Sequence, residues 1–132
     1  MQPMYNIVEV IIVAESVLRD KAKVFAKEIV LLCRQIKATH KEAVLTNQLL
    51  RSGTPIGAKL HEAQYAQGTK DFISKFEIAL KECNESEYWL ELLYETNSIS
   101  ESEFKEFRSK CIELRRMLVS TVTTLKNKKT FE

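Results

Sequence analysis

The sequence predicts an all-α protein, an antiparallel four-helix bundle with up-down-up-down topology. Apolar residues recur at alternating steps of three and four over four long segments, which is the pattern of bundle helices. Only three glycines and two prolines occur in 132 residues, too few for the many turns of a sheet protein. The segments are joined by short connections, which place consecutive helices antiparallel. Hydrophobic residues make up 45% and charged residues 29%, as in one ordinary globular domain.

The first helix is predicted from about Asp20 to Ala38, with Asp20 as its N-cap. Residues 1–15 are interpreted as an apolar N-terminal extension. Their run Ile7–Ala14 is shorter than the roughly 20 residues that span a bilayer, and no basic segment precedes it as in a signal peptide. We therefore expect no membrane association, and an arm that packs on the bundle or on a neighbouring subunit. The helix's predicted core stripe is Ala22, Phe25, Ile29, Leu32 and Ile36.

The second helix is predicted from about Lys41 to Ala66, with a kink at Pro55. Proline normally ends a helix, but the apolar stripe stays in phase from Leu49 to Ile56, so one bent helix is favoured over two. Gln67-Gly68 is a typical helix end. The kink region carries four small residues that permit the close approach of another backbone: Ser52, Gly53, Gly57 and Ala58.

The third helix is predicted from Thr69 to about Glu95 and the fourth from a capping box at Ser100 and Glu103. The bundle as a whole is assigned to residues 16–126, and residues 127–132 are expected to form a frayed basic tail. The third helix has a stripe wider than a bundle core needs, which indicates burial in a subunit contact as well. The residues that widen it are Ile73, Leu80 and Trp89.

The sequence contains no motif for catalysis or metal binding. A carboxylate-bridged metal pair in such a bundle needs two Glu-x-x-His motifs, and neither His40 nor His61 has a glutamate three residues before it. The three cysteines are odd in number and far apart, which favours reduced core thiols of a cytoplasmic protein over disulfides or zinc ligands. We expect no enzyme activity, no cofactor and no metal. The cysteines are Cys33, Cys83 and Cys111.

Glu82 and Glu85 are the most pointed polar pair, since residues three apart share one helix face. Paired carboxylates perform acid–base chemistry in some enzymes, but a solvated or interfacial acidic face is the favoured interpretation. Arg51 is expected to pair across the bundle with one of these carboxylates and so to anchor the small-residue stretch.

Charge is strongly segregated along the chain. Residues 77–106 include nine acidic and two basic residues, a net charge of −7, whereas residues 115–129 include five basic and no acidic residues. A basic helix end suits phosphates, and it equally suits the helix's own C-terminal carbonyls or an acidic neighbour in an oligomer. The predicted nucleic-acid-binding residues are Arg108, Lys110, Arg115, Arg116, Lys126, Lys128 and Lys129.

The second and third predicted helices carry five motifs: NQLLRSGTPIGA at residues 47–58, Glu62-Ala63, KDFISK at residues 70–75, IALKE at residues 78–82 and EYWLELL at residues 87–93. With these motifs the chain resembles a family of bacterial four-helix bundle proteins first noted in intervening sequences of large-subunit ribosomal RNA genes. The resemblance runs from about Ser16 to Leu125, and the family usually has serine where this chain has Pro55. It does not cover residues 1 to about 15.

The resemblance implies a non-enzymatic protein that assembles into a ring-like homopentamer. A more distant branch, the accessory variability determinant of diversity-generating retroelements, is a basic pentameric bundle that binds a reverse transcriptase and nucleic acid. The residues expected to serve structure or assembly are Arg51, Gly53, Pro55, Gly57, Glu82, Tyr88 and Trp89.

Three functions follow as hypotheses. The leading one is a homopentameric scaffold associated with RNA or a ribonucleoprotein, with DNA as a further possible ligand. The second is a protein–protein adaptor, such as a reverse-transcriptase accessory subunit, that recruits its partner without touching RNA. The third is an enzyme or metal protein built on the Glu82 and Glu85 pair.

Overall fold

The computed structural model describes the backbone of residues 7–130, and the side chains of residue 9 and of residues 12–127. Residues 1–6, 131 and 132 lie outside the described part. The described chain is entirely helical apart from short connections. Its helices are α1 (Ile7–His40), α2 (Val44–Gly53), α3 (Pro55–Ala63), α4 (Thr69–Glu95) and α5 (Glu101–Thr130).

The helices form a closed ring of four rods, with α2 and α3 as the two halves of one rod. Each rod packs on the rods before and after it, and α5 returns to pack on α1. Among the described residues the diagonal rods, α1 with α4 and α2–α3 with α5, make no backbone-level contact. This arrangement, together with the short connections, confirms the predicted up-down-up-down four-helix bundle.

One continuous core fills the space between the rods. The predicted α1 stripe is buried throughout, and Leu18 extends it by one turn. On α4 and α5 the apolar residues at helical spacing are buried or packed against the core, and Phe72, Phe104 and Leu125 lie at its edges. The largest fully buried side chains include Phe25 and Phe76.

The bend between α2 and α3 lies at Thr54 and Pro55, as predicted. Proline has no backbone N–H, so the carbonyl of Arg51 loses its usual helical hydrogen-bond donor. Thr54 nevertheless keeps helical angles, with φ −77° and ψ −34°. Its backbone N–H and its hydroxyl both donate to the carbonyl of Leu50, at 3.2 and 2.7 Å. The rod is therefore kinked rather than broken.

Helix α1 begins at Ile7, so the prediction that it starts at Asp20 is wrong. Asp20 lies inside the helix, and an ion pair one turn earlier joins Glu15 to Arg19 at 3.0 Å. An i,i+4 pair of this kind supports helix across the predicted boundary. At the other end of the chain α5 continues to Thr130, beyond the boundary predicted at residue 126. None of the described helices combines the length and the apolar character needed to cross a bilayer.

The connection between α4 and α5 is capped on both sides. Asn97 adopts a left-handed conformation with φ 63°. Its N–H and that of Ser98 donate to the carbonyls of Tyr94 and Leu93, which is the Schellman arrangement. Ser100 and Glu103 form the predicted capping box, with reciprocal hydrogen bonds of 2.9 and 3.1 Å.

Candidate nucleic-acid interface

The two arginines predicted to bind nucleic acid near the middle of α5 both pair with Glu87 of α4. Nη1 of Arg115 lies 2.5 Å from one carboxylate oxygen of Glu87, and Nε of Arg108 lies 3.6 Å from the other oxygen. Arg115 also donates to Asn84 at 3.3 Å. The Glu87 side chain is only 16% exposed, so this carboxylate is held between the two helices. The hydrogen bond to Glu87 raises the pKa of Arg115 further, as expected for a cation beside a carboxylate.

Two of the predicted lysines, Lys110 and Lys126, are also paired within the chain. The ammonium of Lys110 contacts Glu28 of α1 and lies 3.0 Å from Glu106 of its own helix. The ammonium of Lys126 lies 2.9 Å from Glu77 of α4. These pairs place a carboxylate beside each cation.

The remaining predicted cations are Arg116, Lys128 and Lys129. Arg116 is exposed and makes no ion pair with any residue that the structure describes. Lys128 and Lys129 belong to the last turn of α5, but their side chains lie outside the described part. Of the predicted set with described side chains, only Arg116 therefore keeps an uncompensated charge.

The charge segregation seen in the sequence is thus largely a match between neighbouring helices. The acidic run belongs mainly to α4 and the basic run to α5, and the two helices lie antiparallel against each other. A cation whose field is balanced by a nearby carboxylate attracts a phosphate less strongly than an uncompensated one. Up to residue 127, the α5 surface therefore carries less uncompensated positive charge than its composition indicates.

Uncompensated cations lie instead on α1, where none was predicted. Lys23, Lys27 and Arg34 are exposed and make no ion pair with any described residue. Their spacing of four and seven residues places them on one face of the helix. Residues 21–41 contain six basic residues and one acidic residue, a net charge of +5. This local excess of basic residues was the signal in the sequence that could have identified the cationic face of α1.

A groove of about 370 Å³ runs beside this face, between α1 and α3. Its floor is shallow because Gly57 lies against the α1 backbone: a Cβ on Gly57 would be 3.6 Å from the carbonyl carbon and oxygen of Ala22. Lys23 and His61 line its walls, and Asp20 is the one acidic side chain in the lining. The small residue at position 57 lies where α3 approaches α1 closely.

Gly53 brings α2 even closer to α1. A Cβ at this position would lie 3.2 Å from Cγ2 and 3.3 Å from Cγ1 of Ile29. Gly53 itself is buried, and Ile29 is fully buried. The two glycines therefore set the separation of the first two rods.

Arg51 does not pair across the bundle, so that prediction is wrong. Its side chain is exposed and forms no ion pair with any residue in the described ranges. Arg51 lies two residues from buried Leu49, which turns it roughly 200° away from the core-facing direction. The bundle geometry thus directs it outwards, away from α4.

Glu82 lies partly buried at the contact of α4 with α3. Its Oε2 is buried and has no hydrogen-bond partner among the described residues. Burial raises the pKa of Glu82, the nearby Lys59 lowers it, and the carboxylates of Glu85 and Glu62 raise it. Glu85 itself is exposed. The two carboxylates therefore have different environments, and Glu82 belongs to a mixed charged cluster at the helix contact.

Tyr88 and Trp89 form an aromatic pair on α4. Their rings meet edge to face with centroids 5.0 Å apart. Trp89 packs against the core, whereas Tyr88 is 55% exposed. Their predicted role in subunit contact stays a prediction.

Helix α1 also exposes an apolar stripe beside its cations. Val17, Val24 and Leu31 recur every seven residues and are 42%, 51% and 60% exposed. Val24 and Leu31 line grooves between α1 and α5. The stripe lies outside the buried core face of the same helix.

The described residues contain no group of histidine, cysteine and carboxylate side chains suited to hold a metal ion. All three cysteines are free and buried. The thiol of Cys83 donates to the carbonyl of Cys111 at 3.2 Å, and burial raises the pKa of Cys33 to about 11. A buried thiol with a raised pKa is a poor nucleophile.

Comparison with known proteins identifies the family of the chain. Residues 15–120 match the model of the 23S rRNA-intervening sequence protein family. A crystal structure of a protein of unknown function from the S23 ribosomal protein family of Bacteroides thetaiotaomicron is 43% identical, with a TM-score of 0.82. The match covers 83% of this chain and 98% of that one. No curated protein matches. The chain belongs to the 23S rRNA-intervening sequence protein family.

Proposed function

We propose that this chain is a non-enzymatic helical scaffold of the bacterial cytoplasm that self-associates, as a homopentamer, and binds RNA or a ribonucleoprotein. The observation that carries self-association is the exposed apolar stripe of α1, formed by Val17, Val24 and Leu31. Three apolar side chains at seven-residue intervals are typical of a helix seam that packs on another helix. In the isolated bundle this seam faces solvent.

RNA binding is supported by separate features. The family is described by its association with 23S rRNA genes, and the uncompensated cations of α1 suit a phosphate backbone. Lys23 lines the groove between α1 and α3, whereas Val24 lines the groove between α1 and α5.

Multi-angle light scattering with absorbance at 260 nm, on protein purified from its host, tests both parts. We expect a mass near five times the 15.3 kDa of one chain, with excess absorbance from bound RNA. The variant Val24→Glu/Leu31→Glu is expected to be monomeric, because two carboxylates would be buried at the seam. Val44→Glu, at a residue that is 71% exposed and off the stripe, serves as the control. A monomeric native protein would contradict self-association.

The second candidate function is a protein–protein adaptor. It is favoured by the acidic α4 surface beside the half-exposed Tyr88, because exposed aromatic residues are enriched at protein interfaces. The ion pairs that balance the α5 cations favour it as well. Affinity purification from host cells with and without nuclease distinguishes the two functions. A protein partner that remains after nuclease treatment supports the adaptor, whereas one lost with the RNA supports the scaffold.

A further inference from the structure

We infer that single-stranded RNA binds along the exposed cationic face of α1, with its phosphates on Lys23, Lys27 and Arg34, and not along the basic α5 helix. This inference rests on the proposed RNA binding and assigns its site. It differs from the site that the sequence predicts, which lies wholly on α5.

The first argument is charge compensation. On α5, Arg108, Arg115 and Lys126 each lie within 3.6 Å of a carboxylate of α4. A phosphate approaching them meets that carboxylate as well. Lys23 and Lys27 have no such partner among the described residues. Counterion release, which dominates the affinity of proteins for nucleic acids, requires cations that are free to replace the counterions of the phosphates.

The three cations also form a row along α1 whose length suits a nucleic-acid strand. Lys23 and Arg34 are eleven residues apart, which is roughly 16 Å along an α-helix. This length matches several successive phosphates of one strand, which follow each other at about 3.4 Å along a stacked helix axis and further apart in an extended strand. Lys27 lies between them on the same face. The three cations therefore follow a strand rather than a single phosphate.

The third argument is the groove beside the cations. Ala58 lines it with a single exposed methyl group, so a ligand backbone can approach the contact of α1 and α3 closely. His61 lines the groove, and its ring meets Tyr65 edge to face with centroids 5.8 Å apart. Tyr65 is 76% exposed. His61 thus connects the groove at Lys23 with an exposed aromatic ring, and unpaired bases stack on such rings, which favours single-stranded over duplex RNA.

The test is the binding of a fluorescein-labelled single-stranded RNA of about 20 nucleotides, long enough for one such site, followed by fluorescence anisotropy. The α1 variant is Lys23→Gln/Lys27→Gln/Arg34→Gln, and the α5 variant is Arg108→Gln/Arg115→Gln/Lys126→Gln. Each removes three positive charges from a chain of net charge +2. We expect the α1 variant to bind at least about tenfold more weakly and the α5 variant to stay within about twofold of the native protein.

Two further measurements separate the site from a general charge effect. The slope of log affinity against log salt should fall in magnitude by about 2 for the α1 variant, which loses three single-strand phosphate contacts. Tyr65→Ala should weaken binding several-fold without a change in that slope. Because the α5 variant breaks ion pairs and could unfold, Lys81→Gln/Lys105→Gln/Arg116→Gln provides a second control at exposed cations. Circular dichroism verifies that each variant is folded.

The outcomes distinguish this inference from the function on which it rests. Loss of binding in the α5 variant or the second control, with the α1 variant unaffected, overturns the α1 site and leaves RNA binding in place. Native protein that binds no RNA even at about 50 mM salt overturns the proposed function and the site together. Equal losses in all three variants also overturn the site, because they show a dependence on net charge alone.

Discussion

The hydroxyl of Ser86 on α4 lies 2.9 Å from the hydroxyl of Ser52 on α2, inside the bundle. Ser86 is fully buried and Ser52 is 2% exposed. Each also contacts a carbonyl of its own helix: Ser52 lies 3.3 Å from the carbonyl oxygen of Leu49 and Ser86 lies 3.0 Å from that of Glu82. The small side chains bring the second and third rods together, and the paired hydroxyls satisfy each other where water has no access.

The serine pair predicts a coupled effect on stability. We expect Ser86→Ala to lower the free energy of unfolding by about 1 kcal/mol, because Ser52 loses a buried hydrogen bond. The double variant Ser52→Ala/Ser86→Ala should lose less than the sum of the two single variants, since no polar partner is left unsatisfied. Urea unfolding followed by circular dichroism measures all three. Strictly additive losses would contradict the coupling.

The two glycines that face α1 predict opposite effects for the same substitution. Gly53→Ala should destabilise the protein by roughly 1–3 kcal/mol, because its Cβ would crowd the branched side chain of Ile29 at 3.2 Å. Gly57→Ala should be neutral or stabilising by up to about 1 kcal/mol, since its Cβ would make ordinary contacts at 3.6 Å and alanine favours helix. Thermal unfolding of both variants measures the two changes in stability, and each variant serves as the control for the other. A larger loss at Gly57 than at Gly53 would contradict this packing.

Glu82 predicts a stability that depends on pH. Burial raises the pKa of its carboxyl above the usual 4.5, so the folded state holds the proton more tightly than the unfolded state. The contribution of Glu82 to stability therefore falls as the pH rises from the unfolded pKa through the raised folded pKa. We expect Glu82→Gln to stabilise the protein at neutral pH and to lose this advantage below about pH 4.5, where the carboxyl is neutral in both states. Urea unfolding at both pH values measures it, and an equal gain at both would contradict the prediction.

The ion pairs of α5 predict a graded response to neutralisation. Arg115→Gln should lower the free energy of unfolding by about 1 kcal/mol, because it leaves the little-exposed carboxylate of Glu87 with one arginine only. Lys105→Gln should cost clearly less, because Lys105 and Glu101 are 73% and 63% exposed and their pair is screened by solvent. Chemical denaturation at low salt compares the two. Equal losses would indicate that the Glu87 cluster is no stronger than a surface pair.

Much of the fold follows from local rules that a sequence displays directly. The stripe residues were identified because a helix brings residues three and four apart onto one face, and the capping box because Ser100 and Glu103 bond within a single turn. The start of α1 was mistaken because Asp20 has the chemistry of an N-cap. Nothing in that short-range preference excludes a helix that has already begun, and the Glu15–Arg19 pair supports one.

The candidate site, too, was determined partly by the sequence and partly by the tertiary structure. The sequence by itself determined that the chain is a helical bundle with a kinked second rod, an acidic third helix and a basic last helix. Only the tertiary structure decided which cations stay uncompensated, since Arg115 meets Glu87 across 28 positions of sequence and Lys23 meets no carboxylate within ion-pair distance among the described residues. Charge interactions depend on distance in space, which counts along the chain do not measure. The most basic stretch of sequence and the most available positive charge therefore lie on different helices.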